Sequence, residues 1–304
     1  MINAQARRVD SAGVSLHVYE LGERHKPAVI VLHGMRDVAL SLTPVAERLA
    51  NDYHVILPDL RGHGASEKCG NYTMPACIFD LHSILEAFEI SSTAVFGHSL
   101  GGQIAVRFAA LFPEQIRAAV IVEGLGPPAR SARNDDVRGL LQTEAQRLLA
   151  TLNLPRRSRS LPSVEFAASR LLANNPRLDP DRALTLARQG TWKDPEGNLL
   201  WAFDPRVCAI FLGIGHEDSE RYWPHVTAPT LLISGAHAYE YWSDAIPTGS
   251  DWSGEFAPGE LEARIASFPE GEHQVFEHSG HMVHYDEPDR LAHTSLDFLR
   301  RRSE

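Results

Sequence analysis

Four short, uninterrupted apolar runs in the first 122 residues constrain the fold more than any other feature of the chain. They are Ala28–Leu32, His54–Pro58, Thr93–Phe96 and Ala119–Val122, and segments with apolar residues at helical spacing separate them. Strands that are apolar throughout, rather than on alternate residues, are typical of parallel sheets that helices cover on both faces. The pattern therefore predicts an α/β fold built around a mostly parallel sheet.

The alternation of strands and helices stops after the fourth run. Residues 125–224 have the pattern of helices, and no buried-strand run interrupts them. Strand character returns at Pro229–Ile233 and again at His273–Phe276. We therefore predict one sheet domain, formed by residues 1–124 and 225–304, which is interrupted by a helical lid over residues 125–224.

The pentapeptide Gly97-His98-Ser99-Leu100-Gly101 lies between a predicted strand and a predicted helix. A sharp strand-to-helix turn lifts a serine oxygen clear of the backbone, and flanking glycines leave room for neighbouring chain to approach closely. Ser99 is therefore the candidate nucleophile. The alternative, a polar residue in a glycine-rich turn, is disfavoured by three further motifs that follow in order along the chain.

These three motifs each follow a predicted strand and so fall at the same edge of the sheet as Ser99. His33-Gly34-Met35 follows the first strand, Asp59–Ser66 (Asp-Leu-Arg-Gly-His-Gly-Ala-Ser) follows the second, and Ser279–Met282 (Ser-Gly-His-Met) follows the last. The histidine of the last motif, His281, is placed to act as the general base that activates the serine.

His281 has two neighbouring competitors, His278 and His284. His278 precedes Gly280, which would let the backbone turn, and His284 falls past the loop. A metal site through His281-x-x-His284 would need a second cluster of histidine, cysteine or acidic residues, and none accompanies the pair in the sequence. We therefore expect no metal and no cofactor.

In this order the four motifs resemble the α/β-hydrolase superfamily, and the likeness covers the core segments on both sides of the insertion. The resemblance implies an α/β-hydrolase fold and an oxyanion hole formed by the backbone N–H groups of Met35 and Leu100. It also implies cleavage of a carboxylic ester, lactone or thioester through an acyl-enzyme intermediate.

Two alternatives to ester cleavage stay open. One is a carbon–carbon bond hydrolase of the meta-cleavage type, which uses the same triad, and the other is a non-catalytic ligand receptor on the same fold. Epoxide hydrolases and haloalkane dehalogenases of this fold need a carboxylate nucleophile at the elbow, where this chain has Ser99.

The triad acid is where the chain departs from the commonest pattern of the superfamily. Most members that it resembles carry an aspartate shortly after the strand equivalent to Leu231–Ser234, but this chain continues with Gly235-Ala236-His237-Ala238. Glu123 instead closes the preceding strand, a position that a minority of the superfamily uses. We predict that Glu123 is the acid; Asp244 and Glu240 stay open as alternatives, as does a helix-cap or salt-bridge role for Glu123.

Aromatic residues in or beside the insertion are candidates for an apolar substrate pocket between lid and core. They are Trp192, Trp201, Trp223, Tyr241 and Trp242. Packing within the lid is the alternative role for each of them.

Composition limits the partners. The formal net charge of −10 disfavours nucleic acid and anionic membrane surfaces, since both attract basic proteins. Three cysteines without metal-ligand spacing indicate reduced thiols in a cytoplasmic protein. We therefore expect a cytoplasmic enzyme that acts on a small ester or lactone, with no nucleic-acid or membrane partner and with a homodimer left open.

Overall fold

The computed structural model describes residues 4–129, 137–212, 217–243 and 254–302. Within them lie the strands β1 (Gln5–Ser11), β2 (Val14–Leu21), β3 (Ala28–Leu32), β4 (His54–Pro58), β5 (Thr93–His98), β6 (Ile116–Val122), β7 (Thr191–Lys193), β8 (Leu199–Trp201), β9 (Thr230–Gly235) and β10 (Gly271–Phe276). The α-helices are α1 (Thr43–Leu49), α2 (Met74–Ala87), α3 (Leu100–Leu111), α4 (Val137–Leu152), α5 (Val164–Asn174), α6 (Pro180–Gln189), α7 (Glu217–Glu220), α8 (Tyr239–Ser243), α9 (Glu260–Ala266), α10 (Val283–Asp286) and α11 (Pro288–Arg301). None of these helices is both long and apolar enough to cross a membrane.

Eight strands form the central sheet in the order β1-β2-β4-β3-β5-β6-β9-β10. β2 pairs antiparallel with β1 and β4, and all other neighbours in this sheet are parallel. Every residue of β3, β4 and β5 is buried. This burial follows from helices on both faces, because α2 and α3 pack their apolar residues on one face and α1 and α11 pack theirs on the other. The predicted α/β-hydrolase fold is confirmed.

The chain between β6 and β9 forms α4 to α7 and a small hairpin, β7–β8. Its contacts with the rest of the protein include the Asp204 N–H, which donates to the Gly62 carbonyl at 2.8 Å, and Arg182, which donates to the His284 carbonyl at 2.6 Å. Gly62 and His284 lie in segments that follow the carboxyl ends of β4 and β10, so the insertion contacts the edge of the sheet where those strands end. The hairpin was not expected, because strands of three residues leave no apolar run to detect. The predicted lid boundaries stay a prediction.

Candidate active site

Ser99 occupies a strained turn between β5 and α3. Its φ of 51° and ψ of −112° lie outside the regions that residues with a side chain usually adopt. The Ser99 N–H donates to the Val122 carbonyl at 2.9 Å, which ties the turn to the neighbouring strand. A side chain at Gly97 would collide with the backbone of Gly101, and one at Gly101 would collide with that of Leu32. Tight packing on both sides therefore forces the turn and presents the serine.

His281 joins Ser99 to Glu123. Its Nε2 lies 2.9 Å from Ser99 Oγ, and its Nδ1 lies 3.0 Å from Glu123 Oε2. The side chains of His281 and Glu123 are only 2% and 8% exposed, so little water competes for this hydrogen bond. A hydroxyl, an imidazole and a buried carboxylate in this line have the geometry of a nucleophile, a general base and the acid that orients it.

Both oxygens of the Glu123 carboxylate are engaged. While Oε2 faces His281, Oε1 accepts the Gly235 N–H at 2.8 Å. Glu123 itself has a φ of 51°, and its N–H donates to the Ile233 carbonyl at 2.9 Å. These two bonds with β9 hold the carboxylate at the end of β6.

The other acids considered from the sequence lie elsewhere. Glu240 accepts two hydrogen bonds from the Arg177 guanidinium, at 2.6 and 2.8 Å. Asp244 lies outside the described residues. Among the described carboxylates, Glu123 is therefore the one that contacts His281 Nδ1.

The loop after β3 lies directly against the serine. A methyl group added at Gly34 would lie 3.3 Å from Ser99 Cβ. Next to it is the Met35 N–H, and the Leu100 N–H opens α3 on the other side of the serine. Within the described residues no hydrogen bond from either N–H to another protein group is found, which for Leu100 is usual in the first turn of a helix. These two donors are available to an oxyanion.

The Asp59–Ser66 motif braces that loop rather than contributing chemistry. His33 Nε2 accepts the Leu60 N–H at 3.0 Å, and His63 Nε2 accepts the Arg36 N–H at 3.0 Å. Burial lowers the pKa of His63 to about 3, so the ring is neutral and its nitrogen can accept. The loops that follow β3 and β4 are thus cross-linked through two histidines.

A buried cluster behind His281 was not anticipated from the sequence. His98 Nε2 donates to the His281 carbonyl at 2.9 Å, and His284 Nε2 donates to Asp37 at 3.0 Å. Within the described residues Asp37, His98 and His284 form the one group close enough to hold a metal, with atoms within 4.8 Å of one another. Two hydroxyl groups also donate to the Asp37 carboxylate, at 2.7 and 3.1 Å, so its oxygens are satisfied by the protein.

The charge state of this cluster follows from its burial. Burial lowers the pKa of His98 well below its ordinary value and also lowers that of His284. Burial alone would raise the pKa of Asp37, but the hydrogen bond from His284 holds it below its ordinary value. His98 was visible in the pentapeptide, whereas no spacing in the sequence connects Asp37 to the site.

Two of the predicted pocket aromatics reach the triad. The Tyr241 ring stacks on the His281 imidazole, with centroids 4.1 Å apart and planes 14° from parallel. The Trp242 ring meets the same imidazole edge-on at 5.3 Å. Both residues are carried by α8, in the segment where most members of the superfamily place their acid.

The other three aromatics lie apart from these. Trp192 is 39% exposed, with the Lys68 ammonium 5.7 Å from its ring, and Trp201 stacks with Phe203 at 6.3 Å. Trp223 is only 2% exposed and stacks with Phe268 in the hydrophobic core. Enclosed in this way, Trp223 packs the core and lines no open surface, so we leave it out of the pocket proposed below.

The sequence model of the alpha/beta hydrolase fold family matches residues 27–288, so the chain belongs to that family. An uncharacterized protein of Mycobacterium tuberculosis (strain ATCC 25618 / H37Rv) is 35% identical over 101 residues, which are 33% of this chain and 30% of that protein. The esterase YbfF of Escherichia coli (strain K12) is 24% identical over 277 residues, covering 91% of this chain and 94% of the esterase.

Solved structures show the same fold. The thioesterase domain from the curacin biosynthetic pathway superposes with a TM-score of 0.77 at 22% sequence identity. The superposition covers 97% of this chain and 100% of that domain. At this level of identity the likeness shows the architecture.

Proposed function

We propose that the protein is a serine hydrolase that cleaves a carboxylic ester, lactone or thioester through an acyl-enzyme intermediate. The observation that carries this proposal is the unbroken hydrogen-bonded line from Ser99 Oγ through His281 to the Glu123 carboxylate, at 2.9 and 3.0 Å. Each member has a chemical partner within reach, and none of the steps requires a metal or a cofactor.

In the first half-reaction Ser99 Oγ attacks the substrate carbonyl while His281 Nε2 takes the hydroxyl proton. Glu123 stabilises the imidazolium that forms, since its carboxylate accepts from Nδ1. The carbonyl oxygen becomes an oxyanion, and the N–H groups of Met35 and Leu100 donate to it. The imidazolium then protonates the leaving alcohol or thiol, and the acyl group stays on the serine.

In the second half-reaction water replaces the leaving group. His281 takes a proton from the water as its oxygen attacks the acyl-enzyme, and the same oxyanion donors act again. Collapse of the intermediate releases the carboxylic acid and returns the proton to Ser99.

The proposed substrate is a small, largely apolar ester, bound between the core and a lid formed by residues 125–224. Tyr241 and Trp242 support an apolar wall at the catalytic histidine, since both rings contact it. The names of two relatives, an esterase and a thioesterase domain, are in keeping with ester or thioester cleavage. Lactones are proposed on the same chemistry.

The test is a Ser99→Ala variant measured with a fluorophosphonate probe and a panel of esters, lactones and thioesters. We expect labelling to disappear and kcat to fall by several orders of magnitude, leaving roughly 10³-fold catalysis over water from the oxyanion donors and binding. The matched control is Ser91→Ala, at an exposed serine before β5, which should label like the wild type. A wild-type protein that is neither labelled nor active on any panel member would favour the receptor alternative and overturn the proposal.

A further inference from the structure

The His281 imidazole is held at its edge by two hydrogen bonds and covered on its face by Tyr241. The stacked rings are 4.1 Å apart and nearly parallel, at 14°. Tyr241 remains 48% exposed, so part of its surface faces solvent while its ring covers the imidazole.

The two hydrogen bonds, at Nδ1 and Nε2, do not by themselves fix the tilt of the imidazole about the line that joins these nitrogens. A flat ring packed against the face opposes that motion, because tipping would open a gap between the rings. The imidazole also becomes a cation during acyl transfer, and the face of an aromatic ring attracts a cation. Stacking therefore favours both the productive orientation and the charged state that the reaction passes through.

The other groups around the imidazole do not supply this charge stabilisation on its face. Glu123 and Ser99 hydrogen-bond to the ring nitrogens, Glu123 at Nδ1 and Ser99 at Nε2. The His98 ring is 5.3 Å away, and its pKa is well below the ordinary value because of burial, so it carries no charge at neutral pH. The Trp242 ring is T-shaped to the imidazole, with the ring centroids 5.3 Å apart. Among the described residues, Tyr241 is therefore the aromatic ring that stacks parallel to the imidazole.

The segment that carries Tyr241 is fastened at two points. The His237 N–H donates to the Ser279 carbonyl at 3.0 Å, which ties the residues before α8 to the loop that bears His281. Glu240, the neighbour of Tyr241, accepts two hydrogen bonds from Arg177 of the insertion. With the acid supplied by Glu123 from β6, the chain after β9 is free to deliver an aromatic ring instead.

We propose that Tyr241 is a positioning residue for catalysis: its ring keeps the His281 imidazole in the plane of the triad and stabilises the imidazolium of the acyl-transfer steps. This inference rests on the proposed serine-hydrolase function and deepens it. It makes Tyr241 part of the machinery that acts in kcat, and not simply a wall of the substrate pocket.

The experiment compares Tyr241→Leu, which keeps an apolar cover but removes the aromatic face, with Tyr241→Phe, which keeps the face. The substrate is p-nitrophenyl acetate, chosen because its small acetyl group makes little contact with the pocket. We expect Tyr241→Leu to lower kcat about tenfold, with KM changed less than twofold, as the loss of a partly desolvated cation–aromatic contact predicts. The rate of fluorophosphonate labelling should fall by a similar factor, and Tyr241→Phe should retain both.

Tyr239→Leu is the matched control, because Tyr239 is an exposed tyrosine on the same helix, with its ring 6.3 Å from that of His237. It should keep the wild-type kcat. The inference is overturned if Tyr241→Leu changes KM alone, if Tyr241→Phe is as impaired as Tyr241→Leu, or if the Tyr239 variant shows the same loss.

The two proposals fail in different ways. A labelled, active wild type whose Tyr241→Leu variant is equally fast overturns only the role of Tyr241. A wild type that does not react with the probe and hydrolyses no ester overturns the serine-hydrolase proposal, and this inference with it.

Discussion

Ser99 and Glu123 both have a positive φ, of 51°, which is uncommon for residues with a side chain. They close the neighbouring strands β5 and β6, and each donates its N–H to the carbonyl of the next strand, Val122 O and Ile233 O respectively. Such a conformation costs on the order of 1–3 kcal/mol and persists where the surroundings over-determine it. One local device, used twice, therefore places the candidate nucleophile and acid on either side of His281.

Glu123→Gln should lower kcat by about 10³–10⁴-fold. The Gly235 N–H needs an acceptor, so the amide oxygen of the variant would face it and the NH₂ group would face His281 Nδ1. Nδ1 would then have to accept a hydrogen bond from the amide, so the ring proton would move to Nε2. A protonated Nε2 cannot take the hydroxyl proton of Ser99. Steady-state ester hydrolysis measures the effect.

The control for this prediction is Glu114→Gln, the same change at an exposed glutamate, which should have the wild-type rate. A Glu123→Gln variant that retains the wild-type kcat would show that another group orients His281, with Asp244 the first to examine.

At the residue scale the sequence contained most, but not all, of the candidate site. Ser99 and His281 are flanked by glycines in short motifs, because tight turns at strand ends demand them. Glu123 was identified because the segment after β9 lacks an acid at the usual position, whereas Glu123 follows the neighbouring strand β6. The bond from His98 to the His281 carbonyl had no such signal, because it joins residues 183 positions apart in a way that only the folded chain defines.

Elements were predictable in proportion to their burial. The bounds of β3 and β4 coincide with the predicted apolar runs, because a strand covered on both faces must be apolar throughout. β1 carries mostly polar residues and is half exposed at the sheet edge, and it was not predicted. In α4 the helical spacing of leucines indicates the helix but not its surroundings, for Leu141 and Leu149 are 65% and 60% exposed.

The ion pair between Arg177 and Glu240 should act on catalysis through the placement of α8. Arg177→Glu would set two carboxylates against each other, and we expect kcat to fall about threefold, within the range of a partly exposed pair. The exchanged pair, Arg177→Glu with Glu240→Arg, should recover most of the loss, since it restores attraction between insertion and helix. The measurement is kcat for the acetyl ester.

Arg300→Glu serves as the control, because it reverses one charge of an exposed pair with Asp52. It should leave kcat unchanged. If the exchanged pair is as slow as the single variant, the arginine acts by direct contact with the substrate or the triad, and its role in holding α8 is refuted.

At the scale of the whole molecule, buried histidines gather near Ser99 and His281, at the edge of the sheet where the parallel strands end. His63 accepts a hydrogen bond from the loop that follows β3, and His98 and His284 support the chain around His281. Burial lowers the pKa of all three. The native state therefore holds them neutral at pH values where an exposed histidine would be charged.

This burial makes the free energy of unfolding depend on pH with a definite sign. Above about pH 6.5, the ordinary pKa of histidine, both states are neutral and these groups contribute no slope. Below it the unfolded chain binds protons that the native state does not, so the protein loses stability as the pH falls. For His63, whose native pKa is about 3, the loss approaches about 1.4 kcal/mol per pH unit. For Asp37, whose native pKa is lowered, the loss begins only below about pH 4.

Urea unfolding at pH 8, 7, 6 and 5 should accordingly show a plateau followed by a decline below about pH 6.5. Other ionisable groups also contribute to the slope, so the decisive comparison is with His63→Gln, which keeps one donor and one acceptor but does not titrate. Because the pKa of His63 is about 3 in the native protein, its share of the slope extends across this whole range below pH 6.5. We expect the decline of the variant to be shallower by about 1.4 kcal/mol per pH unit. Equal slopes for the two proteins would mean that His63 is protonated in the native state, and that its ring cannot be the acceptor that holds the loop after β3.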